Sequence, residues 1–112
     1  MSLTSTEADG AQIVTVNADR IDAAMAIQFK EDMRSETESG PERVILDLSL
    51  VQFIDSSGLG AIVAAMKQLG RDRRLDLAGP TPMVEKVFRL TRMDTIFTLY
   101  ASLNDAISAN KT

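Results

Sequence analysis

VILDLSLVQFIDSSGLGAIVAAMKQL, residues 44–69, holds two hydrophobic periods joined by a short polar junction. On its left, Val44, Ile45, Leu46 and Leu48 form a nearly continuous apolar run, the pattern of a strand buried on both faces. On its right, Leu59, Ile62, Val63, Met66 and Leu69 recur at spacings of three and four and stop at Gly70, which predicts a helix over residues 57–69. A buried strand that runs straight into a helix is the repeating unit of an α/β sheet, and "RVILDLSL" is its candidate central strand.

The junction, Asp55-Ser56-Ser57-Gly58, admits three uses. A side-chain oxygen there can cap the helix, worth about 1 kcal/mol. The same free N–H groups and the positive end of the helix dipole stabilise an anion such as a phosphate. A hydroxyl at that place can also be a target for modification, and a phosphoryl group would add about −1.5 to −2 charge beside Asp55. Spacing alone lets either serine take either role.

Working outward, "AQIVTV", residues 11–16, follows Gly10 and reads as a strand, with a weaker first hairpin arm at residues 3–6. From Asp22 the period changes. Met25, Phe29 and Met33 recur at every fourth residue beside Ala26, with Lys30, Glu31, Asp32 and Arg34 facing elsewhere, so an amphipathic helix capped by Asp22 is expected. "ETESGPE" ends it. Downstream, "LDLAG" (75–79) is a short strand, and Thr81 and Pro82 open a helix with Met83, Val84, Val87 and Phe88 on its apolar stripe. "TIFTLY" (95–100) is expected as a further strand, and "SLNDAISA" as a closing helix capped by Ser102 with Asp105 in its first turn. The order predicts one α/β domain over residues 1–112: a mixed, mostly parallel sheet of four to five strands with about four helices. Function in such sheets gathers where strands end and helices begin, here at residues 19–22, 55–58 and 79–81.

Composition narrows the chemistry. The chain has 112 residues, 45% hydrophobic, with 16 acids against 12 bases and a formal charge of −4, which disfavours a nucleic-acid partner. Its densest basic run, Arg71, Arg73 and Arg74 around Asp72, reads as a solvated loop. With no cysteine and no histidine there is no disulfide framework, no zinc site of the usual kind, no Ser-His-Asp triad and no phosphohistidine relay. The N-terminus lacks an apolar signal region and no segment approaches the eighteen or so apolar residues of a membrane span. A soluble, cytoplasmic protein without membrane insertion, bound metal or enzymatic activity is expected.

Asp47-Leu48-Ser49, an apolar stretch and then Asp-Ser-Ser-Gly-Leu-Gly at residues 55–60 is the pattern by which the chain resembles the STAS domain family, the anti-sigma factor antagonists. The likeness extends through "LDLAGPTPMVEKVFRLTRMDTIFTLYASLNDAI" and spans nearly the whole chain. It implies a partner switch. An anti-sigma factor that is also a serine kinase would phosphorylate Ser56, with Ser57 as the expected helix cap and the alternative acceptor; the unmodified chain would bind that kinase and free the sigma factor. A PP2C-type phosphatase would regenerate it. The kinase brings ATP and Mg²⁺, so the chain needs no cofactor of its own. The implied partner-binding residues are Asp22, Asp55, Ser56, Ser57, Gly58 and Leu59. One position departs from the family pattern: Asp19-Arg20-Ile21-Asp22 places Asp19 where a glycine is usual, and Asp19 is expected to tolerate a left-handed backbone there.

Other uses compete. Asp19 and Asp22 could form the Mg²⁺-binding pair of a receiver-type phosphoacceptor, but no lysine falls late in the chain at a strand end. A phosphate-binding loop is missing its lysine. The alternative that keeps the same fold is a non-catalytic binding subunit of a lipid-transport or stress-sensing assembly in which the serine is never modified. The apolar residues Ile54, Leu59 and Met93 stand open at this point as either interface or core.

Overall fold

The computed structural model describes residues 3–109. In chain order the elements are β1 (Leu3–Ala8), β2 (Ala11–Val16), β3 (Arg20–Ile21), α1 (Ala26–Glu36), β4 (Arg43–Asp47), β5 (Phe53–Ile54), α2 (Ser56–Leu69), β6 (Arg74–Ala78), α3 (Pro82–Leu90), a 3-10 turn (Met93–Thr95), β7 (Leu99–Tyr100) and α4 (Leu103–Ala109). β1, β2, β4, β6 and β7 form a five-stranded sheet in that order, antiparallel only between β1 and β2, and β3 pairs with β5 in a separate two-stranded parallel sheet. The mixed, mostly parallel sheet expected from the sequence is the one observed.

β4 is buried along its whole length, and alternation sends its side chains into two separate cores. Val44 and Leu46 join Val14, Val16, Leu75 and Leu77 beneath Phe29 and Met33 of α1, Ile62 of α2 and Phe88 of α3. Ile45 joins Ala11, Ile13 and Ala78 on the opposite face, which is covered by Ala106 of α4. That second face also holds charge. Arg43 donates to Asp76 at 2.8 Å and to the Ala106 carbonyl at 2.6 Å, and its guanidinium lies 5.5 Å from the centre of the Tyr100 ring. Asp76 takes Arg74 as well, and this hydrogen bond holds the Arg74 guanidinium above its ordinary pKa while burial pulls the other way.

Several expectations change. The first hairpin arm runs to Ala8, because Asp9 and Gly10 both adopt positive φ and make the two-residue turn that matches strand twist; the Asp-Gly pair is its signal. α1 begins at Ala26 with no side-chain cap, so Asp22 does not cap it by its carboxylate. The central strand stops at Asp47, where the Asp47 carboxylate accepts from the Ser49 N–H at 3.0 Å and turns the chain out of the sheet. "TIFTLY" is a strand only at Leu99–Tyr100; Phe97 is instead drawn into the core edge-on to Phe88, with ring centres 6.2 Å apart. The basic run is not simply solvated, since Arg73 donates to the carbonyls of Pro41 and Thr37 and Arg74 is the first residue of β6. Thr81 and Ser102 accept from the Val84 and Asp105 N–H groups, as their positions predict.

Candidate functional site

β3 and β5, which the sequence reading did not foresee, bring the turn at residues 19–22 against the turn at residues 55–58. After leaving the main sheet the chain is caught by the Asp19 carbonyl, which accepts from the N–H groups of Gln52 at 2.7 Å and Phe53 at 3.2 Å. The register Arg20↔Phe53 and Ile21↔Ile54 follows, with Ile21 and Ile54 inward and Arg20 and Phe53 outward. Asp19 does this with its carbonyl and without left-handed backbone, since Asp9 and Arg92 are the non-glycine residues with positive φ among those described. The expected left-handed turn at Asp19 is therefore corrected, and the absent glycine costs the turn nothing.

Asp55 ties the two turns together. As N-cap of α2 it accepts from the Gly58 N–H through Oδ1 at 2.8 Å, and through Oδ2 it accepts from the Ala23 N–H at 3.1 Å. Both carboxylate oxygens are engaged with backbone. The cap is thus Asp55 and not Ser57, and the helix begins one residue earlier, at Ser56. An aspartate wins this competition because its two oxygens can serve two loops at once, which one hydroxyl cannot. Ser56 and Ser57 are both exposed, and neither backbone N–H has a backbone acceptor among the described residues. They are the open donors of a helix N-terminus.

Gly58 and Leu59 lie beneath this surface. A Cβ on Gly58 would sit 2.0 Å from the Ile21 carbonyl oxygen, so only glycine lets α2 seat on β3. Leu59 and Ile54 are in the core and Met93 packs partly buried against it, which resolves their status. The apolar residues that are exposed here are others: Phe53 on β5, Leu50 in the loop before it and Met83 at the start of α3, the last two more than half exposed at 51% and 61%. The Thr81 hydroxyl donates to the Val51 carbonyl at 3.1 Å and fastens the start of α3 to that loop. No sequence signal marks Phe53 as outward-facing, because a strand of two residues carries no period.

Asp22 is half-buried and sits next to Ala23, hence next to Asp55. Its carbonyl accepts from the Met25 N–H at 3.0 Å, its Oδ2 is 3.8 Å from the Arg20 guanidinium and its buried Oδ1 has no partner. Arg20 stands 3.8 Å from Asp19 as well, an exposed arrangement that contributes little to stability. Asp19, Asp22 and Asp55 outnumber the single cation Arg20, so the two adjoining turns carry net negative charge. Among the described residues no group of three or more carboxylates is arranged to hold a metal, and no helix is long and apolar enough to cross a membrane.

Known proteins resemble this chain along nearly its whole length. The chain is 31% identical over 113 residues to BtrV of Bordetella bronchiseptica, covering 100% of this chain and 97% of that protein. It is 26% identical over 109 residues to the anti-sigma-F factor antagonist RsfB of Mycobacterium tuberculosis, covering 96% of this chain and 88% of that one. The crystal structure of an anti-sigma factor antagonist from Mycobacterium paratuberculosis superposes with a TM-score of 0.87 at 27% identity, over 99% of this chain and 94% of that one. The family model for the STAS domain matches residues 2–106, from the first hairpin to α4 and through the Asp55–Gly58 junction, and the chain belongs to the STAS domain family.

Proposed function

We propose that this chain is an anti-sigma factor antagonist that works as a partner switch through Ser56. Unmodified, it binds an anti-sigma factor serine kinase and so releases the sigma factor. Phosphorylated at Ser56 by that kinase, it lets go, and a PP2C-type phosphatase restores it. The chain itself catalyses nothing and takes no cofactor; it acts in the cytoplasm.

The observation that carries this reading is the division of labour at the start of α2. Asp55 uses both oxygens on backbone donors, so the cap does not depend on the serines, and the exposed Ser56 hydroxyl is free to be modified without loosening the helix. A phosphate there meets the open N–H groups of the first turn, which lowers its cost to the fold. Its about −1.5 to −2 charge falls on a rim that already carries Asp19, Asp22 and Asp55, next to exposed Leu50 and Phe53. The kinase contacts are Asp22, Asp55, Ser56 and Ser57 with these apolar neighbours, while Gly58 and Leu59 hold the surface in shape from below. A partner that docks apolar groups there loses its fit when the site becomes doubly anionic.

Incubating the purified chain with its cognate kinase and Mg-ATP should add one phosphoryl mass at Ser56. Ser56→Ala should hold the kinase whether or not ATP is present, and Ser56→Glu should fail to bind. Phosphate gained at neither serine, or equal kinase binding by the two variants, overturns the switch.

A further inference from the structure

The five-stranded sheet is incomplete at one corner. β6 spans Arg74–Ala78, yet β7 pairs only with its second half, Leu77↔Leu99 and Ala78↔Tyr100, because the chain ahead of β7 turns aside to bury Phe97. In a parallel sheet the peptide groups of successive residues point alternately to the two neighbouring strands. The Leu77 and Gly79 N–H groups donate to Thr98 and Tyr100 on the β7 side, while the Arg74 N–H donates to Glu42 on the β4 side. The N–H and C=O of Leu75 therefore point to the β7 side, where no backbone partner among the described residues meets them. An N–H and C=O left unpaired at a strand edge are a template for another strand.

This open edge is the floor of a groove of 550 Å³ between the C-terminal end of α2 and the segment that precedes β7. Its walls are cationic. Lys67, Arg71, Arg73 and Arg74 line it against a single acid, Asp76, whose carboxylate is already held by Arg43 and Arg74. Arg73 spends its hydrogen bonds on neutral carbonyls, and among the described residues no carboxylate pairs with Arg73 or with the exposed Lys67 and Arg71. Met66 and the exposed Ile96 add apolar surface. Such a concentration of positive charge is notable in a chain of net charge −4.

We infer that this groove takes an extended, acidic segment of a partner protein, added as a strand to β6 so that its backbone pairs with Leu75 and its carboxylates meet Lys67, Arg71 and Arg73. Main-chain pairing supplies a generic grip and the side-chain pockets supply the choice of sequence. The site lies at the far end of α2 from Ser56, about 20 Å along a helix of 14 residues, so it is a second docking surface independent of the serine.

A fluorescein-labelled peptide of about nine residues alternating glutamate and valine, long enough to form one strand, is the probe. Titrating the full chain should raise its anisotropy and slow hydrogen exchange at the Leu75 amide. The double variant Lys67→Gln, Arg71→Gln, both at exposed positions, should weaken binding by about tenfold while the chain still melts cooperatively within about 5 °C of wild type. A peptide of equal charge with proline at alternate positions should lose binding to the same degree, because proline cannot donate to the ladder. Equal binding of the proline peptide, unchanged exchange at Leu75, or Leu75 already protected in a dimer of the chain alone would each overturn the assignment.

Discussion

The turns at residues 19–22 and 55–58 each carry an aspartate toward a helix, and they use it in opposite ways. Asp55 accepts two backbone N–H groups, one in its own helix and one in the other turn. Asp22 caps nothing with its carboxylate; its carbonyl does the local work, and α1 starts only at Ala26. An aspartate ahead of an amphipathic stretch is thus a sign of a helix start only where the backbone brings N–H groups within its reach. In the second turn Gly58 makes that possible by letting α2 come down on the Ile21 carbonyl. The difference predicts that the second turn bears the structural weight and that the first is free for recognition.

The strongest challenge to that contrast is Gly58→Ala. A methyl 2.0 Å from a backbone oxygen cannot be relieved by rotating a side chain, so the variant should lose about 3 kcal/mol or more and melt more than about 10 °C lower by calorimetry. Gly60→Ala, in the same helix with open space around it, should gain about 0.5–1 kcal/mol, and a loss there would show that the first turn of α2 is strained. Next comes Asp55→Ala, which removes both bonds and should cost about 1–2 kcal/mol in urea unfolding. Asp22→Ala should shift stability by less than about 0.5 kcal/mol, since its buried Oδ1 has no partner to lose. The same variant should nonetheless weaken kinase binding in a titration; unchanged binding would leave the first turn without the recognition role argued for it.

How far the sequence could be read follows from which forces are local. The buried run of β4, the stripe of α2 and the Thr81-Pro82 and Ser102 helix starts were legible because each depends on neighbours along the chain. The helix start at Ser56 was one residue from its expected place, because the choice among Asp55, Ser56 and Ser57 depends on the Ala23 N–H, thirty-two residues away in sequence. β3 and β5 were invisible for the same reason: two residues each carry no period, and their pairing rests on the Asp19 carbonyl reaching across to Gln52 and Phe53. "TIFTLY" misled because its β-branched and aromatic content suits a strand, whereas the edge-on packing of Phe97 against Phe88 outweighs that preference. At the candidate site the serines and their aspartate were legible as a motif, while the exposed Leu50, Phe53 and Met83 around them required the fold.

Arg43 has a consequence for the order in which the molecule comes apart. α4 has seven residues, too few to stay helical alone, and it rests on the sheet through Ala106 and through the Arg43 bond to the Ala106 carbonyl. Arg43 in turn is held in place by Asp76 and the Tyr100 ring. The last helix is therefore a unit whose opening leaves the other core, beneath α1, α2 and α3, intact, and its amides should exchange with solvent through a partial opening well before those of β4. A chain that loses α4 in this way uncovers the Ala11, Ile13, Ile45 and Ala78 face of its sheet, so the Arg43 bond and the Ala106 packing together set how often that face meets a protease.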